Sequence, residues 1–190
     1  TYGPCPDISL DKDLREQLIL CQSFSKPYAM TGWRIGYLTA PDYVMERLLL
    51  LSAATITAVP TFLQEAAITA LGTSVESMRE IYKKRRDYVC QRLKDMGLSF
   101  PEPEGAFYVF PNITGFGMTS AETAEYILEK THVVTAPGSA FGEGGEGYIR
   151  ICYASKYEQL CEALTRLEKA FGNGLFNECR LSIYHRRRRD

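Results

Sequence analysis

Apolar positions recur along this chain at two periods, and the change from one to the other divides it into segments. Between residues 42 and 96 the spacing is helical. Val44, Leu48 and Leu51 share one face of a helix that Pro41-Asp42 opens. Pro60 interrupts, and Thr61-x-x-Gln64 has the form of a capping box for a second helix through Ala66, Ala67 and Ala70, ended by Gly72. Thr73-x-x-Glu76 has the same form ahead of a long third helix. There Met78, Ile81, Tyr82, Val89, Leu93 and Met96 fall in register, and Gly97 stands where a C-terminal cap belongs. Short apolar runs at 18–21, 35–38, 107–110, 133–134 and 148–153 predict strands. Thr119-x-x-Glu122 and Ser155-x-x-Glu158 predict the starts of two more helices. The second carries the stripe Leu160, Leu164, Leu167 and Phe171 and is closed by Gly172.

A composition shift at Pro101-Glu102-Pro103-Glu104-Gly105 separates the long helix from the C-terminal part of the chain. Beyond it, the order strand, helix, strand, strand, helix describes an α+β unit with a small, mainly antiparallel sheet. Residues 1–13 read as a loop punctuated by Gly3-Pro4 and Cys5-Pro6. A formal net charge of -1 in 190 residues argues against a nucleic-acid or membrane-surface role for the body of the chain. Lys83-Lys84-Arg85-Arg86 reads as a solvated helix face. Arg186-Arg187-Arg188-Arg189 lies in a tail, 173–190, expected to be disordered. Six cysteines without Cys-x-x-Cys spacing fit reduced thiols in a cytoplasmic protein. Two isolated histidines make no metal site, no apolar stretch approaches a membrane span, and residues 1–9 have no signal-peptide pattern.

The candidate chemistry lies between the first two strands, in Ser23-Phe24-Ser25-Lys26-Pro27-Tyr28-Ala29-Met30-Thr31-Gly32-Trp33-Arg34-Ile35-Gly36-Tyr37. Lys26 is expected just past the end of a buried strand and Arg34 at the start of the next. Partial desolvation there would favour the neutral, nucleophilic amine. Arg34 with the hydroxyls of Ser23 and Ser25 makes a donor set suited to phosphate.

Ser-Phe-Ser-Lys followed by Gly-Trp-Arg-Ile-Gly resembles the lysine signature of class I/II aminotransferases, pyridoxal-phosphate enzymes of fold type I. The resemblance implies that Lys26 carries the cofactor covalently and that Ser23 and Arg34 hold its phosphate. Gly105-Ala106-Phe107-Tyr108, Pro137-Gly138-Ser139-Ala140-Phe141-Gly142 and Tyr148-Ile149-Arg150-Ile151 resemble the small domain of the same family. By that resemblance Arg150 clamps the substrate α-carboxylate, which a guanidinium meets through two parallel hydrogen bonds. The implied fold is α/β, the C-terminal part of a fold type I transferase. Its expected parts are an incomplete large domain (1–73), a linking helix (74–98), a small α+β domain (99–172) and the tail.

The implied activity is amino transfer between an amino acid and a 2-oxo acid, in a cytoplasmic homodimer dependent on pyridoxal 5'-phosphate. A lyase or synthase of the same fold, and the ligand-sensing domain of a transcription regulator, are the alternatives. In the family, a strand ahead of this region supplies an aspartate to the pyridine nitrogen and a tyrosine to the phenolic oxygen. The sequence contains neither, so the chain is expected to be a fragment inactive by itself.

Overall fold

A computed structural model describes residues 13–14 and 16–171. The expectations for the opening loop, for Gly172 and for the tail lie outside the described residues. The chain divides into two units, with the boundary between Met78 and Arg79.

In the first unit, β1 (Leu20–Ser23) and β2 (Gly36–Thr39) form an antiparallel pair, in which Ser23 is opposite Gly36 and Leu20 opposite Thr39. Both lie one or two residues later than the apolar runs predict. β1 is not the buried strand expected: Ile19, just ahead of it, and most of β1 itself are exposed. Helix α1 (Asp42–Thr55) follows Pro41, whose φ of -57° suits the start of a helix. Its apolar face is present, but no residue of α1 is buried. The core of this unit is small: Phe24, Ile35, Ala67 and Ala70, with Tyr28, Met30, Val59 and Leu63 around them.

Helix α2 (Thr61–Leu71) has Pro60, not Thr61, at its N-cap, without a side-chain cap. Gln64 Nε2 instead donates to the Val59 carbonyl at 2.8 Å. The second expected box also fails to form through Thr73, whose hydroxyl donates to the Thr69 carbonyl at 3.0 Å and closes α2. Ser74 Oγ accepts from the Glu76 N–H at 3.3 Å, where α3 (Glu76–Asp95) begins.

Gly97 ends α3 as predicted. At φ +76° it lets its own N–H reach the Lys94 carbonyl (2.9 Å) and that of Leu98 reach Leu93 (3.0 Å), the paired bonds of a Schellman cap. Arg86 departs from the solvated face expected of the basic run, because it is half-buried and donates to the Pro103 carbonyl at 3.0 Å.

The second unit is built on a three-stranded antiparallel sheet in the order β3-β5-β4: β3 (Tyr108–Val109), β4 (Ala136–Pro137) and β5 (Ile149–Cys152). β5 alternates Ile149 and Ile151 inward with Arg150 and Cys152 outward, the period-two pattern of a strand with one buried face. The strand expected at 133–134 lies instead at 136–137. His132 turns left-handed (φ 56°) to end the preceding helix, and this leaves Val134 exposed.

That helix, α4 (Ser120–Thr131), has the predicted capping box. Thr119 Oγ1 accepts from the Glu122 N–H, and the Glu122 carboxylate accepts from the Thr119 N–H at 2.9 Å. Helix α5 (Tyr157–Ala170) begins after Lys156, so Ser155 is not its cap, yet Leu160, Leu164, Leu167 and Phe171 are buried as their spacing predicts. They pack with Val89 and Leu93 of α3, Ile127 of α4, Val109, Ile149 and Ile151 in one core. Arg92 ties α3 to α5 through Glu168 at 2.9 Å. Among the described residues no helix is long and apolar enough to cross a membrane.

Candidate functional site

The loop between β1 and β2 is held by a single buried ring. Phe24 is 2% exposed, and its centroid lies 5.3 Å from that of Tyr28 and 5.7 Å from that of Tyr37. Its N–H donates to the Ile35 carbonyl at 3.3 Å and its own carbonyl accepts from the Tyr28 N–H. With Phe24 committed to the core, its neighbours Ser23 and Lys26 are left at the surface.

Ser23 Oγ accepts from the Ser25 N–H at 3.1 Å, a local turn that leaves the hydroxyl proton available for an acceptor outside. Lys26 is exposed, so the desolvation expected for it is not provided. Arg34 does not open β2 as expected. It follows a single 3-10 turn (Thr31–Trp33) in the left-handed region, at φ 52°, and β2 starts two residues later. Its Nη1 donates to the Thr31 carbonyl at 3.1 Å.

Gly36 explains the close seam beside it: a Cβ there would stand 2.6 Å from the Gln22 carbonyl oxygen. The strand register therefore brings Ser23, Lys26 and Arg34 to the same end of the β1/β2 pair. A hydroxyl, a guanidinium and a primary amine at one end of a hairpin can bind a phosphate and attack a carbonyl.

Arg150 belongs to the second unit, in the middle of β5. Its guanidinium carbon lies over two aromatic rings, 4.4 Å from the centroid of Tyr108 and 4.5 Å from that of Phe141. Phe141 in turn meets Phe110 edge-on at 5.5 Å. Contact with ring faces uses the charge of the guanidinium and forms no hydrogen bond through its N–H groups, which can donate in pairs to a carboxylate. Tyr108 and Phe141 received no role from the sequence. The available signal was their place within two of the segments singled out there, 105–108 and 137–142.

The turn that carries Phe141, Gly138–Phe141, is seated tightly. The Gly138 N–H donates to the Tyr148 carbonyl at 2.9 Å, and a Cβ on Gly138 would overlap the Gly145 carbonyl oxygen. Glu146, just beyond, has its carboxyl held below the usual range. The main cause is the N–H of Ser120, followed by the Ser120 hydroxyl.

The family described as Aminotransferase class I and II matches residues 2–167 of this chain. An aspartate aminotransferase of Pyrococcus horikoshii is 50% identical over 161 residues, which cover 82% of this chain and 41% of that protein. Aromatic-amino-acid aminotransferase 2 of Thermococcus litoralis is 46% identical over 159 residues, 81% of this chain and 41% of that one. Among solved structures, the aromatic aminotransferase from Pyrococcus horikoshii superposes with a TM-score of 0.81 at 44% identity, over 86% of this chain and 45% of that chain. The aspartate aminotransferase from Thermotoga maritima gives 0.78 at 35% identity, over 83% of this chain and 41% of that chain. The chain spans less than half the length of these relatives.

Proposed function

Since the chain belongs to the class I and II aminotransferase family, we propose that it is the C-terminal portion of an enzyme that moves an amino group between an amino acid and a 2-oxo acid, with pyridoxal 5'-phosphate as cofactor. The observation that carries this reading is the donor set at one end of the β1/β2 pair. Ser23 and Arg34 fit the phosphate, the first by an uncommitted hydroxyl proton, the second by the guanidinium donors that Thr31 does not occupy. Lys26 supplies the one group in the set able to hold an aldehyde. When bound, the cofactor supplies an electron-accepting ring conjugated to the reacting carbon.

The chain's own residues do the rest. The Lys26 amine takes the proton from the substrate α-carbon as general base and returns one as general acid. Arg34 and Ser23 fix the anionic end of the cofactor. Arg150 takes the substrate carboxylate with its N–H groups while the rings of Tyr108 and Phe141 hold its cationic head. In this reading residues 1–73 are part of a large domain, 74–98 the link and 99–172 the small domain. The change of unit between Met78 and Arg79 supports a division near the start of α3. The reading also includes a cytoplasmic homodimer, in keeping with free thiols at Cys21, Cys90, Cys152 and Cys161.

The named relatives make aspartate and aromatic amino acids the first donors to try. The full-length enzyme is loaded with cofactor and offered a panel of donors, with both 2-oxo acid and any eliminated group measured. Release of the donor's 2-oxo acid matched by amination of an acceptor is the expected result. An eliminated product in its place, or no turnover with any donor, overturns the reading.

A further inference from the structure

Ser120 is completely buried at the first position of α4, yet its polar atoms serve residues far along the chain. Its N–H donates to Glu146 Oε1 at 2.8 Å and its hydroxyl donates to Glu146 Oε2, also at 2.8 Å. With its one hydroxyl proton directed at the carboxylate, Ser120 Oγ is left as an acceptor. It takes the Ser139 N–H at 3.2 Å and lies 3.0 Å from Ser139 Oγ. Ser139 is in the Gly138–Phe141 turn, two residues before the ring that covers Arg150.

The box formed by Thr119 and Glu122 serves the N–H groups of those two residues, and Glu146 Oε1 takes the N–H of Ser120 between them. Capping does not account for the bonds of the Ser120 hydroxyl, which run from the second oxygen of Glu146 to Ser139. From this geometry we infer that Glu146 and Ser120 are positioning residues: they lock the Gly138–Phe141 turn so that Phe141 covers Arg150, and thereby set its affinity for the substrate carboxylate.

The physical sequence is short. The carboxylate orients the Ser120 proton, the oriented hydroxyl presents its lone pairs to Ser139, and the anchored turn carries Phe141. A guanidinium already in contact with two rings has less torsional freedom before substrate arrives, so less is lost on binding. Removing the lock frees one of the two rings. The inference rests on the role proposed above for Arg150, and the test separates the two.

The test compares Glu146→Gln, Ser120→Ala, Thr119→Ala and Arg150→Ala in the holoenzyme. The readouts are KM and kcat for the amino donor, and hydrogen exchange of the 138–142 segment. Glu146→Gln turns one acceptor of the lock into a donor, and Ser120→Ala removes its centre. Both should raise KM about 10-fold with kcat within about 2-fold, the size expected for losing hydrogen bonds to a charged group. Both should also speed exchange at 138–142. Thr119→Ala weakens the start of the same helix but leaves the lock, so it should lower stability without moving KM or that exchange. If Arg150→Ala raises KM while Glu146→Gln and Ser120→Ala do not, the lock is refuted and the role of Arg150 stands. If Arg150→Ala leaves KM unchanged, the role of Arg150 falls and this inference falls with it. Equal losses in all three α4 and Glu146 variants would reduce the lock to a fold contact and also refute it.

Discussion

Two residues with unusual environments permit sharp predictions. Arg150 lies over the faces of two rings and, being a planar guanidinium, can also offer paired N–H groups to a carboxylate. Arg150→Lys keeps the charge but loses the paired N–H groups and the broad contact of the guanidinium with the rings. In the full-length enzyme we expect KM for the donor to rise about 10- to 100-fold, with kcat changed much less. A KM within about twofold of the parent would show that charge alone suffices.

Cys90 is buried in α3, and burial, with the negative charge of Glu102 adding to it, pushes its thiol up to about 11 from an ordinary 9.0. The folded chain therefore keeps this proton at pH values where the unfolded chain loses it. The contribution is fully present below the ordinary value and is lost as pH rises through the window up to about 11. In urea titrations across that window, Cys90→Ala should lose stability less steeply than the parent, and an unchanged slope would contradict this.

At the scale of elements, backbone chemistry near the ends can be tested directly. Gly97→Ala places a Cβ at φ +76° and should cost about 1 kcal/mol by the steric penalty of the left-handed region. Thr119→Ala removes one half of a formed capping box, at about 1 kcal/mol. Urea midpoints of the two variants measure both. These two caps were legible in the sequence because all their bonds are local.

Thr61 and Thr73 carry the same three-residue spacing and do not close a box. Pro60 takes the N-cap of α2 and Thr73 spends its hydroxyl on the preceding helix, choices that spacing cannot reveal. The period of α5 was readable because its stripe faces a complete core. The apolar face of α1 is covered only in part, with Val44 and Leu48 half-buried and Leu51 exposed, and a sequence pattern does not distinguish the two. The stacking of Phe141 on Arg150 and the bonds of Ser120 to Glu146 join residues 9 and 26 apart with no periodic signature. They needed the fold.

For the molecule as a whole, the lysine segment was readable in outline, but its surroundings were not. Its alignment of Ser23, Lys26 and Arg34 depends on the β1/β2 register and the close approach at Gly36. Lys26 is exposed in a chain that spans about two-fifths of its relatives' length. On the proposed reading, the 190-residue chain by itself should therefore bind the cofactor weakly and turn over no donor. One missing electrostatic contact can cost ~10²–10³ in rate, and the proposed reading places several contacts outside this chain. An absorbance titration with a coupled assay checks this, and robust turnover by the isolated chain would contradict it.

The same chain exposes Leu49, Leu50, Leu51, Ile56, Phe62 and Ile68 in and between α1 and α2, so it should self-associate in sedimentation experiments; a strictly monomeric profile would contradict that expectation. Everything proposed for the lysine segment turns on Lys26 holding the cofactor. Borohydride reduction of the cofactor-loaded full-length enzyme, followed by peptide mapping, tests it most directly. The pyridoxyl group is expected on Lys26; a label on Lys12, Lys83 or Lys156 in its place would refute the assignment.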